Sequence, residues 1–198
     1  MNKAIVFISS NREPDNIIKL CSENLKKIGL PIISVTQKPM DLGKNICVGD
    51  QGQSEVNIFW QIGLGCLEAK EADCIFWCES DTLYPPEHFL FTPTDDTIWF
   101  NANIWRWHKG YYIKKKRPSV CSLVSEKLRL INMIDYYLKN HPKIRDWKKR
   151  FGERHFFTHQ PIVNIFHQNG LHKKLSAVEG KYTRRLPYWP RSKSLLGE

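Results

Sequence analysis

Apolar residues fall along the first half of the chain in two alternating kinds of run. Short, nearly continuous runs at 3–9, 31–35 and 73–77 read as strands buried on both faces. Between them lie stretches with helical spacing. The first follows Pro14 and sets Ile17, Ile18, Leu20, Cys21, Leu25 and Ile28 on one helix that ends at Gly29. The second spans 54–70, with Ser54 as its N-cap and Val56, Phe59, Trp60, Ile62, Gly63 and Leu67 at apolar positions. Residues 37–53 form a long polar loop. The order strand–helix–strand–helix–strand predicts right-handed crossovers and a mostly parallel central sheet flanked by helices, an α/β fold. Further on the pattern loosens. Short strands are expected at 97–100 and 110–113, a helix at 122–138 and a strand at 161–166. The segment 182–198 reads as a strapped or mobile extension. With no repeat and no linker-like stretch, one domain over 1–198 is the simplest reading.

The third strand ends abruptly in Glu79-Ser80-Asp81, followed by Tyr84-Pro85-Pro86. Side chains at i and i+2 of an extended segment point the same way, so Glu79 and Asp81 would sit together at a strand's carboxyl end, where open α/β sheets bind ligands. Two carboxylates that close repel unless a cation neutralises them, and a hard divalent ion that also takes phosphate oxygens suits them best. The bland alternative is a pair of strand-end acids making turn hydrogen bonds.

Charge changes the picture further. The chain carries a net charge of +10, with eight Lys/Arg against fourteen Asp/Glu in residues 1–99 and 22 against six in residues 100–198. The basic half holds Lys114–Arg117, Lys148–Arg150, Lys173-Lys174 and Arg184-Arg185, interleaved with Trp105, Trp107, Tyr111, Tyr112, Trp147 and Trp189. Such asymmetry suits a polyanionic partner; a solvated basic face is the alternative. The six cysteines show no CxxC pair or zinc-like spacing and read as buried reduced thiols. His155 and His159 have the i,i+4 spacing of helical ligands but lack a third partner. No P-loop occurs, and Gly63-Leu64-Gly65 is too short for a dinucleotide fingerprint. No run has the length of a membrane span, and the first strand is too short for a signal-peptide core, so a cytoplasmic protein is expected.

Several segments taken in order resemble GT-A glycosyltransferases, specifically the compact, family-2-like enzymes encoded by phages. The matching residues are Ile32–Pro39, Gly43–Gly49, Gln61–Gly65, Glu79–Phe89 and Phe100–Arg106, and beyond them Pro161–His167 resembles a late strand ending in a histidine. An acid is more usual at the position of Asn164. The resemblance covers about the first half of the chain. It implies a GT-A fold in which residues 1–107 bind the nucleotide sugar and metal and 108–198 form the basic acceptor side. Glu79 and Asp81 stand at the DxD position, acting as metal ligands and catalytic residues, and His167 completes the coordination of Mn²⁺ or Mg²⁺. Ser9, Ser10 and Asn11 lie where the fold takes the base and ribose, although a helix-entry turn needs the same residue types. Lys44 and Asn45 belong to the loop that meets phosphate, and Gln61 reaches the nucleotide from its helix. Asn101 and Asn103, with Trp105 and Arg106, offer amides and an aromatic face to a sugar.

The resemblance thus implies a metal-dependent glycosyltransferase using a nucleoside-diphosphate sugar, UDP-linked, within a phage host's cytoplasm. The basic, aromatic second half points to DNA carrying hydroxymethylated pyrimidines as acceptor. A glycan, lipid-linked or protein acceptor is the alternative within the enzymes, a nucleotidyltransferase would share the metal, and a non-catalytic nucleic-acid binding module is the alternative of another class. Inversion would need a general base. Asp95, Asp96 and Glu87 follow the acidic triplet, and the sequence does not choose among them.

Overall fold

The structure, a computed structural model, describes residues 1–169 and 178–196, with the backbone alone at 144, 145, 147 and 178–180. The first half follows the apolar pattern: β1 (Lys3–Ser9), α1 (Asp15–Lys26), β2 (Ile32–Thr36), β3 (Lys44–Cys47), α2 (Glu55–Glu68), β4 (Cys74–Glu79) and β5 (Thr82–Leu83). Then come β6 (Ile98–Asn101), β7 (Ile104–His108), β8 (Tyr111–Lys115), β9 (Leu123–Glu126), α3 (Lys127–Asn140), α4 (Ile144–Phe151), β10 (Glu153–Phe156), β11 (Ile162–Ile165) and β12 (Val178–Thr183).

Seven strands form the main sheet in the order β10-β6-β9-β4-β1-β2-β3. The run β4-β1-β2-β3 is parallel, as is β10-β6, and β9 runs antiparallel to both its neighbours. Both faces are covered, which is why β1 and β4 are apolar throughout. Val6, Ile8, Ile75 and Trp77 pack with Phe59, Ile62 and Cys66 of α2 and Met133, Ile134 and Tyr137 of α3. The alternate residues Ile5, Phe7, Phe76 and Cys78 face Leu25 of α1 together with Tyr84, Phe89 and Ile104. The cysteines are all free, and Cys47 alone is exposed.

A second sheet, β12-β8-β7-β11-β5, stands beside the first. Trp107, Tyr112, Val163 and Ile165 from this sheet pack with Ile17, Cys21 and Leu195. The late segment is strapped over it. Trp189 Nε1 donates to the Pro161 carbonyl (2.6 Å), Tyr112 Oη to that of Pro190 (2.8 Å) and Trp107 Nε1 to that of Ser192 (2.6 Å).

Four expectations change. Part of the polar loop is β3, an edge strand whose Asn45 amide donates to Ser34 Oγ (2.9 Å) and Thr36 Oγ1 (2.8 Å) of β2. Residues 123–126, expected to open a helix, instead fill the gap between β4 and β6 as β9. Their apolar run fits either element, and ladder pairing with two neighbours decides it. The elements α4 and β10 were not expected. His155 lies on strand β10 and His159 in the turn after it, so their i,i+4 spacing makes no helical ligand pair. His155 contacts Glu153 (3.0 Å), and the His159 amide donates to Glu87 (2.8 Å).

Helix α2 lies against β1 at Gly65, where an added Cβ would fall 2.2 Å from Val6 Cγ1. Gly65→Ala is therefore expected to lower the urea midpoint by the equivalent of about 1–3 kcal/mol, an overpacking cost. Adding Val6→Ala should recover part of that loss; a double variant that is no better than the sum of the two singles would contradict this contact.

Candidate functional site

The end of β4 is fixed by Tyr84, which is fully buried. Its hydroxyl accepts the Glu79 amide N–H (3.0 Å) and donates to the Cys121 carbonyl (2.8 Å), while its own N–H donates to Asn24 Oδ1 (2.8 Å). Between these anchors the chain leaves β4 at Glu79, turns through Ser80 and Asp81, and enters β5. There Thr82 pairs with Asn164 of β11. Asp81 Oδ1 accepts from Thr82 Oγ1 and Asn164 Nδ2, both at 2.9 Å. Its Oδ2 lies 3.6 Å from Nε2 of His167, just beyond β11. Asn164, the polar interruption in an apolar strand, is thus the residue that orients Asp81.

Glu79 and Asp81 line one cavity of about 200 Å³. Its walls come from the loop after β1 (Ser9, Ser10, Glu13), the 52–54 turn, Asn57 and Gln61 of α2, Arg106 of β7, Lys115 and Ser119 after β8, and Asn164 and His167. Burial, reinforced by the Asp81 charge, pushes the Glu79 carboxyl up to about 8. Burial works against charging His167, but contact with Asp81 outweighs it and its pKa is raised. Burial lowers the pKa of Arg106, although a guanidinium stays charged at neutral pH.

The loop after β1 is tightly wired. Ser9 Oγ donates to Glu13 Oε2 (3.1 Å) and accepts the Asn11 amide (2.8 Å), with Asn11 in the left-handed region at φ 54°. Gln61 Nε2 donates to the Ser9 and Val35 carbonyls (3.2 and 3.0 Å), tying α2 to the sheet beneath the cavity. Gln53 Nε2 donates to Ser10 Oγ (3.1 Å) and to the Asn169 carbonyl (2.9 Å), joining three loops at the rim.

Of the residues singled out in the sequence, Ser9, Ser10, Gln61, Glu79, Asp81, Arg106 and His167 meet in this cavity. Asn11 lies beside it, with Oδ1 accepting the Lys38 amide (2.8 Å). The others are engaged elsewhere. Lys44 pairs with Glu68 (2.7 Å). Asn45 braces β3 against β2. Asn101 Nδ2 donates to Thr158 Oγ1 (2.8 Å) and Asn103 Nδ2 to the Thr158 carbonyl (2.9 Å), holding β6 and β7 to the turn before β11. The three acids considered as bases also lie outside the lining. Asp95 contacts Thr97, Trp99 and Arg154, Asp96 contacts Arg129, and Glu87 accepts two backbone N–H groups. Lys173-Lys174 lies outside the described residues.

The cavity contains residues the sequence did not flag for it, notably Glu13, Gln53, Asn57, Lys115 and Ser119. Arg106, which the sequence offered only as part of a sugar-facing segment, is a buried charge in the cavity wall.

Among the described residues, no three His, Cys, Asp or Glu side chains are grouped to hold a metal ion, so Glu79, Asp81 and His167 do not form a closed protein cage. The donor chemistry fits a different kind of site. Mg²⁺-like ions are bound by one or two carboxylates and complete their shell with water and substrate phosphates. Burial, with repulsion from Asp81 added to it, holds the Glu79 carboxyl up to about 8, and a cation bound between the two acids would offset both costs.

No family model matches the sequence, and comparison with curated proteins gives no match. Solved structures do match. A protein of Aquifex aeolicus VF5 superposes with a TM-score of 0.54 at 13% identity, covering 80% of this chain and 87% of its own. A glycosyltransferase involved in glycosylation of the major capsid of PBCV-1 superposes with a TM-score of 0.53 at 9% identity, covering 83% of this chain and 92% of its own. At such identities the likeness establishes the fold alone: a mixed α/β arrangement with a mostly parallel central sheet flanked by helices.

The raised Glu79 pKa makes a thermodynamic prediction. A carboxyl that keeps its proton longer when folded supports folding below its unfolded value near 4.5, and that support is lost as pH rises through about 8. The raised His167 pKa acts in the same direction. The melting temperature of metal-free protein should therefore fall between about pH 5 and pH 9, and Glu79→Gln should flatten the slope. An equal slope in both proteins would contradict the assignment.

Proposed function

We propose that this chain is a glycosyltransferase that takes its sugar from a nucleoside-diphosphate donor, UDP-linked, with the help of a divalent cation. One observation carries the reading. In a fold shared with a glycosyltransferase, two neighbouring carboxylates at the carboxyl end of β4 open into the same cavity as the Ser9–Ser10 loop. Glu79 and Asp81 would hold the cation, which supplies positive charge to the diphosphate as it departs. The chain's own residues do the rest. Ser9, Ser10, Gln53 and Asn57 offer small polar groups to a base and ribose. Asn164 and Thr82 keep Asp81 aimed into the cavity, and His167 beside it limits the local negative charge. Glu13 and Glu79 are the carboxylates within the cavity besides Asp81, so the search for a base belongs there rather than at Asp95, Asp96 or Glu87.

The acceptor we favour is DNA carrying hydroxymethylated pyrimidines. Lys116, Arg117, Arg184, Arg185, Arg191 and Lys193 are exposed around the second sheet and its strap, and Lys115 of the same sheet lines the cavity. Arg184 stacks on Tyr111, with its guanidinium carbon 5.0 Å from the ring centroid, a pairing suited to phosphate and base.

Three experiments test this. In a thermal-shift panel of nucleotide sugars with manganese, one UDP-sugar is expected to raise the melting temperature by mass action. Glu79→Ala and Asp81→Ala should fold and lose transfer by about 10²–10³-fold, the loss typical of removing a main electrostatic contribution; near-normal turnover in either would defeat the site. With hydroxymethylated DNA, binding should weaken steeply with salt. Salt-insensitive binding, or transfer only to small glycans, would defeat the DNA reading.

A further inference from the structure

Arg106 is 91% buried in the cavity wall, and its guanidinium makes no hydrogen bond among the described residues. Its Nε and Nη1 are both shut off from solvent and unpartnered. Leaving charged donors unmet costs more than leaving neutral ones unmet, so such an arginine calls for a reason. Its position supplies one. On β7 it pairs in register with Asn164 of β11, so the two side chains share a face of the sheet. Asn164 in turn donates to Asp81. The row Arg106–Asn164–Asp81 therefore crosses from the second sheet to the acidic turn. Asp81 favours the charged arginine through space but gives it no hydrogen bond: its Oδ1 is taken by Thr82 and Asn164, and its Oδ2 faces His167. The other contact of the guanidinium is the Phe166 ring, at 5.6 Å. Lys115 adds a second cation to the same wall, although its Nζ is engaged with Ser119 (2.8 Å).

We propose that Arg106 is the anion receptor of this cavity and takes phosphoryl oxygens of the donor's diphosphate, an assignment that rests on the nucleotide-sugar reading above. A guanidinium fork matches phosphate, and Arg106 lines the same cavity as the carboxylate pair. In transfer, the bond between the anomeric carbon and the phosphate oxygen breaks and its electron pair stays on the departing diphosphate. The acceptor oxygen bonds to the anomeric carbon, and its proton leaves to a base or water. Arg106 meets the charge that appears on the leaving group.

The test is calorimetric binding of inorganic pyrophosphate and, separately, of manganese alone, to wild type, Arg106→Gln and Arg106→Lys. Arg106→Gln should weaken pyrophosphate binding at least tenfold and Arg106→Lys by a smaller factor. Manganese alone should bind Arg106→Gln as well as wild type or better, because a positive charge near Asp81 has gone. Equal pyrophosphate affinity in Arg106→Gln and wild type, or a parallel loss of manganese and pyrophosphate binding, overturns the proposal, the second by showing a merely structural role. If Arg106→Gln does not fold, Arg106→Lys decides, and unchanged affinity in it overturns the proposal. If manganese does not bind wild type, the pyrophosphate comparison is made in EDTA with the same criteria. Arg106-dependent pyrophosphate binding without turnover of any nucleotide sugar would leave the receptor standing and remove the donor reading instead.

Discussion

The buried hydroxyl of Tyr84 holds the molecule's chemistry in place. It grips the last amide of β4 on one side and the Cys121 carbonyl before β9 on the other. A hydroxyl that both accepts and donates inside an apolar core has no cheaper arrangement, because either bond, once broken, leaves a polar atom dry. The turn that carries Glu79 and Asp81 cannot drift without breaking one of them. The parallel core of β1 and β4 fixes where that turn emerges, and the tyrosine fixes how.

From this anchor the electrostatics follow in sequence. Burial raises the cost of charging Glu79, and Asp81 adds repulsion. Asn164, Thr82 and His167 spread the charge of Asp81 over neutral donors and one titratable ring. Arg106 stands one strand further on and remains unmatched. The cavity thus holds an acid pair that resists double charging and, in the same lining, a buried guanidinium without a hydrogen-bond partner. Under the reading proposed above, a cation-bound diphosphate would meet both groups.

How much of this was legible in the sequence depended on the range of the interactions involved. Strands β1, β2 and β4 and helices α1 and α2 were readable because continuous apolar runs and helical spacing are local signals. The acid pair was readable because it ends such a run. By contrast, β9 was mistaken for a helix start, since only its pairing with β4 and β6 distinguishes the two. Lys44, Asn45, Asn101 and Asn103 looked available for ligand because their partners Glu68, Ser34 and Thr158 lie 11 to 57 residues away. Glu13 and Lys115 escaped notice for the same reason: the loop after β1 and the end of β8 meet only when both sheets are assembled.

The distribution of thiols has a practical consequence. Burial pushes the Cys66, Cys74 and Cys121 thiols up to about 12, which leaves them almost wholly protonated and shielded from electrophiles. Cys47, at the end of β3, is the one exposed cysteine. Its sulfur sits 3.8 Å from the carbonyl of Gln37, a residue of the cavity wall. The native chain therefore carries one natural attachment point for a maleimide fluorophore, placed where occupancy of the cavity alters the dye's surroundings without any engineered cysteine.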